Sequence, residues 1–279
     1  MPLSKPSASI RTKPELNRRL PLNYPYYWLR RGWEDFRNVN MEASLLYGVV
    51  ITALSILIVA GLVVLKLDYI LLPALAAFLV IGPTLAIGLY EKSRRIQKNE
   101  SVSIGSMLFV KPKSKGQLLF IGLMLTLWIL LWLRAGVLLF ALFFGMHEFP
   151  SVNGVLQLVF TEPKGYLLLI TGAFVGGLFA AFAFAISVLS VPMLLNEETD
   201  AFTAMGASIM LTWHNLPVML LWGGIVLGLT ALCLLTGLIG LVFVFPVLGH
   251  STWHVYNDIR QSEDVPVFGP AIGETAEPS

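Results

Sequence analysis

The chain holds one cysteine, Cys233, among 279 residues, which excludes an intrachain disulfide. Charge is scarce as well. Only 13 % of the residues are Asp, Glu, Lys or Arg, against 56 % hydrophobic, whereas soluble domains carry about 25 % charged residues. The usual catalytic signatures are missing: no G-x-S-x-G, no phosphate-binding loop, no H-E-x-x-H and no pair of carboxylates inside an apolar run. The chain therefore reads as non-enzymatic, with no resident cofactor and no nucleic-acid partner expected. A cleavable leader is not expected either, because some forty polar, basic and proline-containing residues precede the first apolar run.

What the sequence has in abundance is uninterrupted apolar stretches. A helix needs about 20 such residues to cross a bilayer, and six spans fit: 43–65, 69–90, 117–146, 166–195, 216–235 and 238–256. Thr236 and Gly237 supply the turn between the last two. Residues 1–23 and 261–279 read as disordered tails, the first basic and the second acidic, around a membrane domain at 24–260. With the N-terminus inside, the cations from Lys5 to Arg37, from Lys92 to Lys115, and Arg260 all fall on one side. Only Lys66, Arg134 and Lys164 remain on or near the other. The excess of Lys and Arg in cytoplasmic segments then predicts cytoplasmic N and C termini. The expected fold is an all-α membrane protein of six transmembrane helices arranged as three hairpins.

Each hairpin is preceded by an amphipathic interfacial segment. In "YPYYWLRRGWEDFRNVN" (Tyr24–Asn40) aromatics alternate with arginines, a pattern suited to the headgroup region. Trp28, Trp33, Trp213, Trp253 and Tyr256 are the expected interfacial anchors. The lead-ins also resemble one another: Gly32, Gly105 and Gly206 are followed, sixteen or seventeen residues later, by Gly48, Gly122 and Gly223. Each returning helix carries a proline, Pro83, Pro192 or Pro246. Three parallel copies of one unit would surround an axis along the membrane normal. The alternative is that lead-ins and glycines simply recur in membrane helices.

Two groups of polar residues are candidates for chemistry. Arg134 lies in the third apolar run, where a charge at mid-bilayer costs at least about 2.5 kcal/mol. Counted from Gln117, it lies about 26 Å along a helix at ~1.5 Å per residue, near the outer boundary. The residues after it would then be re-entrant or interfacial, with Asp68 or Glu162 as its partner; if instead the whole run is one tilted helix, Arg134 is central and must be paired. His250 and His254 are four apart and share a helix face, and with His214 they form a conceivable metal or haem site. The bland reading is that His250 bonds a neighbouring helix while His254 anchors the interface. The small residues Gly172, Gly176, Gly177 and Ala180, with Gly224 and Gly228, read as faces for close helix packing.

"GPTLAIGLYEKSRR", "LLNEETDAFTAMGAS" and "FPVLGHSTWHVYNDIR" together resemble a family of bacterial integral membrane proteins catalogued as a domain of unknown function. Some members are labelled as a cytochrome c oxidase subunit, so the resemblance implies at most an accessory association with a respiratory complex. Three readings follow. The first is a non-enzymatic scaffold or accessory subunit whose partners are the lipid bilayer and another integral membrane protein. The second is a small transporter or lipid-handling protein with a parallel threefold repeat. The third is a haem- or metal-binding membrane protein.

Overall fold

The computed structural model describes residues 20–67, 70–114, 116–145, 154, 157 and 162–260. All regular structure among them is helical. In chain order the helices are α1 (Tyr24–Asn38), α2 (Met41–Val64), α3 (Leu71–Leu85), α4 (Ile87–Gln97), α5 (Ile104–Leu108) and α6 (Gln117–Phe144). They continue with α7 (Pro163–Ser187), α8 (Ser190–Asn196), α9 (Ala201–His214), α10 (Leu216–Leu235) and α11 (Leu241–Arg260). The expected tails at 1–23 and 261–279 fall almost wholly outside the described residues.

Five helical stretches are long and apolar enough to cross a membrane: Met41–Val64, Pro73–Gln97, Gln117–Phe144, Pro163–Asn196 and Leu216–Leu235. In the most apolar windows of the first and third, only 17 % and 11 % of residues are buried within the protein. Apolar surface of that extent marks a membrane or protein contact. The stretch expected as a sixth span, 238–256, is not among the five. Its helix α11 starts at Leu241 after a turn held by Gly237 (φ 61) and Leu238 (φ 70). It is apolar only to Leu248 and then carries His250, Ser251, Thr252, His254, Asn257 and Asp258.

Two returning helices are broken, each near a proline. Pro83 lies inside α3, which ends at Leu85, and α4 begins at Ile87. The break frees the Leu85 carbonyl, which accepts a 2.6 Å hydrogen bond from the Tyr47 hydroxyl of α2. Pro192 stands just beyond the break between α7 and α8. There Ser208 of α9 accepts from the Leu189 N–H and donates to the Ala185 carbonyl. In α11, Pro246 is accommodated without a break.

The expected span 69–90 does not end the helix: the residues after Tyr90 continue the second half of the broken helix. Glu91, Lys92 and Ser93 are all at most 1 % exposed, and α4 runs on to Gln97. Physically, α4, α8 and α11 pack against one another at one end of the molecule, so polar residues there find partners inside the protein.

The helices pack in a cyclic pattern. The lead-in helix α1 lies on α11, α5 lies on α4, and α9 lies on α8 and α7. Likewise α2 packs on α11 and α6 packs on α3. The third member of that series, α10 on α7, lacks this close packing, and Gly223 merely faces Phe184 across the gap.

Close approach of α2 to α11 depends on Gly48, where a Cβ would stand 2.1 Å from the Val242 carbonyl oxygen. Gly61, in the same helix, has nothing within 4 Å of such an atom. Gly48→Ala is therefore expected to lower stability by about 1–3 kcal/mol through overpacking, while Gly61→Ala leaves it unchanged or higher. Thermal unfolding in detergent checks this; equal midpoints for the two variants would show that α2 does not dock on α11 in this way.

Candidate functional site

A buried polar chain and an apolar cavity occupy opposite faces of the α4–α11 contact. The polar chain begins at Lys92, which is fully buried. Its Nζ donates to the Asn40 carbonyl (3.2 Å) and to the Ser44 Oγ (2.7 Å). Asn40 offers that carbonyl from a left-handed conformation (φ 44) at the start of α2, which asparagine tolerates better than most residues. Ser44 Oγ lies 2.9 Å from His250 Nε2, and His250 Nδ1 lies 2.8 Å from Ser93 Oγ. Ser93 and His254 both act on the Asp35 carboxylate, which lies 2.9 Å from His254 Nε2.

The two ends set the direction of the whole chain. An ammonium only donates and a carboxylate only accepts, so each link donates toward Asp35. Ser44 donates to His250 Nε2, and the neutral imidazole keeps its proton on Nδ1 for Ser93. Four serine, histidine and lysine side chains at most 1 % exposed (Ser44, Lys92, Ser93 and His250) are thereby satisfied. The same chain has a second register. If each proton advances one link, Lys92 becomes a neutral amine, His250 exchanges tautomers and Asp35 becomes a neutral acid.

The Asp35 end opens on a cavity of about 220 Å³ lined by Arg31, Asp35, Ser93, Gln97, His254, Asn257 and Asp258 with Ile96. Asp258 accepts from the Trp28 indole (2.8 Å) and from the Arg31 guanidinium. Gln97 accepts from Trp253 and Asn257. Nearby, Glu91 takes hydrogen bonds from Arg94 and Arg95, and Glu197 binds the Tyr256 hydroxyl and Arg260. Burial opposes ionisation of Asp35, but His254, through its hydrogen bond and charge, and the Ser93 hydroxyl outweigh it. The carboxyl is held below its ordinary value of 3.8.

The second feature is a cavity of about 550 Å³ bounded by α3, α7, α9, α10 and α11. It fills the gap between α7 and α10. Its floor includes the buried Ala183, Val188, Met219 and Trp222, and the exposed Phe182, Trp213, Leu220 and Leu227 form its rim. Along α10 its lining runs from Leu216 to Thr230, about 21 Å at ~1.5 Å per residue. Thr212 and Trp222 line it too, and neither the Thr212 Oγ1 nor the Trp222 Nε1 has a hydrogen-bond partner although both are buried.

The structure places the residues singled out by sequence in different settings. His250 and His254 lie in the polar chain with their bonded nitrogens facing serines and a carboxylate. His214 is exposed at the end of α9, its Nδ1 2.8 Å from the Met210 carbonyl. Among the described residues no group of three His, Cys, Asp or Glu side chains is placed to share a metal ion. Trp28, Trp253 and Tyr256 are buried in the fold rather than facing lipid, because each spends its polar atom on a partner at the packed end. Trp33 and Trp213 are exposed.

Arg134 does not end its helix: α6 continues unbroken to Phe144, so no re-entrant piece follows it. A continuous apolar run without Pro has no reason to stop at one arginine. Arg134 lies on the exposed surface of the bundle, and no described acidic side chain, Glu162 included, is within ion-pair distance. Asp68 and Glu148 lie outside the described residues.

Sequence reasoning missed Lys92, Ser44, Ser93 and Asp35. The only signal was position: Lys92 and Ser93 directly continue an apolar helix, and Ser44 begins one.

Residues 71–196 match the model of a family described as "Predicted integral membrane protein (DUF2189)", a domain of unknown function. The match covers α3 to α8 and stops short of α11. Searches of curated proteins and of solved structures return no match. The family match and the five apolar helices agree, and the protein is a multi-pass integral membrane protein.

Because the folded state depresses Asp35, that group stabilises the protein above its unfolded value, near pH 4, and the contribution is lost as pH falls through the folded value. Unfolding midpoints measured from about pH 6 to 3 should therefore fall more steeply for the wild type than for Asp35→Asn. Parallel profiles would mean that Asp35 is not held by Ser93 and His254.

Proposed function

We propose that the protein binds a lipophilic molecule within the membrane, in the slot between α7 and α10, as a non-enzymatic lipid-handling protein. The observation that carries this reading is the cavity of about 550 Å³, within the ~300–1,000 Å³ range of small-molecule sites. Its rim is apolar and its sides are helices of membrane-spanning length, so a guest enters laterally from the bilayer. The cyclic packing of the lead-ins supports a parallel threefold unit, with α11 as the third returning helix. Its apolar first half enters the bilayer and its polar second half is shielded by α1, α2 and α4. The clustering of cations at the packed end supports six passes with both termini cytoplasmic, in a bacterial inner membrane.

A second reading, a scaffold or accessory subunit of a membrane complex, draws on the outer face of α1. Tyr26, Tyr27 and Trp33 are 67 %, 45 % and 47 % exposed there, beside an Arg30–Glu34 ion pair. Headgroups can cover that face as well as a protein can. Purification in mild detergent separates the two: a stoichiometric partner lost on Trp33→Ala supports the scaffold, and recovery of the chain alone removes it.

For the first reading, Gly224 lines the slot and has open space around its Cβ position. Gly224→Phe should fill the slot without disturbing the fold. Native mass spectrometry should then show a lipophile retained by the wild type and lost, about tenfold or more, in the variant. A wild-type protein that keeps no lipophile through purification, or equal retention by both proteins, would defeat the proposal.

A further inference from the structure

Helix α5 (Ile104–Leu108) is too short to bury a face of its own, and it is fixed from outside. A capping box closes its start: Ser103 Oγ accepts from the Ser106 N–H (3.2 Å), and Ser106 Oγ accepts from the Ser103 N–H (3.1 Å). Met107 is buried. Its carbonyl oxygen presses on α4, where a Cβ at Gly88 would stand 2.5 Å from it. Further on, the Lys113 and Ser114 N–H groups donate to the Leu195 and Leu194 carbonyls, and Ser114 Oγ donates to the Glu197 carbonyl at 2.7 Å. The segment from Ser103 to Ser114 is thus pinned at both ends.

Between those anchors it turns apolar side chains outward. Ile104 and Leu108, four apart on one helix face, are 43 % and 64 % exposed, and Phe109 is 81 % exposed. No other aromatic side chain among the described residues is so open. An exposed apolar residue is ordinary when it stands alone. Three on one pinned segment mark a surface that something covers.

Charge and depth decide what covers it. Lys111 and Lys113 follow directly and flank Pro112; both are exposed, and neither has an acidic partner among the described residues. Arg30, Arg31, Arg94, Arg95 and Arg260, by contrast, all pair with carboxylates. Apolar and aromatic side chains beside unpaired lysines suit the interface of a membrane that carries anionic lipid. The depth agrees. Gly88, on which α5 rests, is about 14 Å short of the Gln97 end of α4 at ~1.5 Å per residue, so α5 docks toward the bilayer and away from the polar end. The chain then enters α6 at Gln117, whose Leu119, Leu123 and Leu127 are exposed along one face. The apolar residues of α5 lead directly into the lipid-facing stripe of a membrane-spanning helix.

We propose that the segment from Ile104 to Lys113 is an anionic-lipid site. Leu108 and Phe109 insert among the acyl chains at the interface, and Lys111 and Lys113 bind the headgroup phosphate of a lipid with net negative charge. The site is independent of the slot between α7 and α10.

The test uses the full-length protein in nanodiscs of phosphatidylcholine mixed with phosphatidylglycerol. A nitroxide is attached at Phe109→Cys and, for comparison, at Lys98→Cys on the exposed end of α4. The native Cys233 is buried, and labelling of the unsubstituted protein gives the background. The label at position 109 should be relaxed by molecular oxygen and shielded from an aqueous nickel chelate; the label at position 98 should behave the opposite way. Native mass spectrometry then reads the phosphatidylglycerol retained relative to phosphatidylcholine. That ratio should fall about fivefold for each lysine removed in Lys111→Gln and Lys113→Gln.

A label at position 109 as open to the nickel chelate as the one at position 98 would overturn the insertion and with it the site. An inserted label with an unchanged lipid ratio in the double variant would overturn the anionic headgroup. A protein recovered in stoichiometric amount from the wild type and lost on Phe109→Ser would give the surface to a partner and overturn the proposal.

Discussion

A lysine ammonium buried to complete exclusion from solvent is the constraint on which the packed end depends. Its cost is acceptable only because Lys92 reaches a backbone carbonyl and a directed chain of hydroxyl, imidazole and hydroxyl that ends on Asp35. Hydrogen bonds in a low-dielectric interior are individually stronger, and a missing one is correspondingly expensive. The chain draws one group each from α1 and α11, one from α2 and two from α4. Four helices distant in sequence are thus held in one register by donors and acceptors that tolerate little displacement. This explains why α11 can carry so polar a second half and still lie at the centre.

The rest of the molecule relaxes away from that end. Beyond the packed helices, α2, α6 and α10 expose long apolar faces, and their neighbours approach closely only where small residues permit. Gly172 and Gly176 bring α7 against Leu139 and Trp132 of α6. Gly177, Gly224 and Gly228 do not serve that role, since a Cβ at any of them would meet open space. Small residues that let two helices touch on one side therefore leave volume on the other. The slot between α7 and α10 is where the cyclic packing fails to close.

Much of the membrane architecture was readable in the sequence because lipid imposes a simple rule. A run of apolar residues long enough to span must be helical to satisfy its own backbone, and α2, α6 and α10 lie within a few residues of runs in the sequence, whereas the break after Ser187 in the fourth run had no such signal. The turn at Gly237 was equally legible, and α9 is capped by Asp200, whose carboxylate accepts from the Thr203 N–H at 3.0 Å. What escaped were features set by tertiary contact. Lys92 looks like any cation beside a membrane until α11 covers it, and Trp28, Trp253 and Tyr256 look like interfacial anchors until their partners are known. Of the two readings of the third run, the continuous helix through Arg134 is the one found, since helix propagation needs only backbone bonds and arginine is a good helix former.

The polar chain and the slot meet through α11 and Trp28. His250 and His254 project from the polar face of α11, whereas Phe245, Leu248, Gly249 and Thr252 line the slot from its other face. Trp28 completes the link, its ring against Trp222 and its N–H on Asp258, beside Arg31 and the cavity that Asp35 also faces. Trp222 is thus one ring removed from the charged cluster. Trp28 and Asp35 lie on the same helix, two turns apart, so the slot and the hydrogen-bonded order of the packed end share one element, α1.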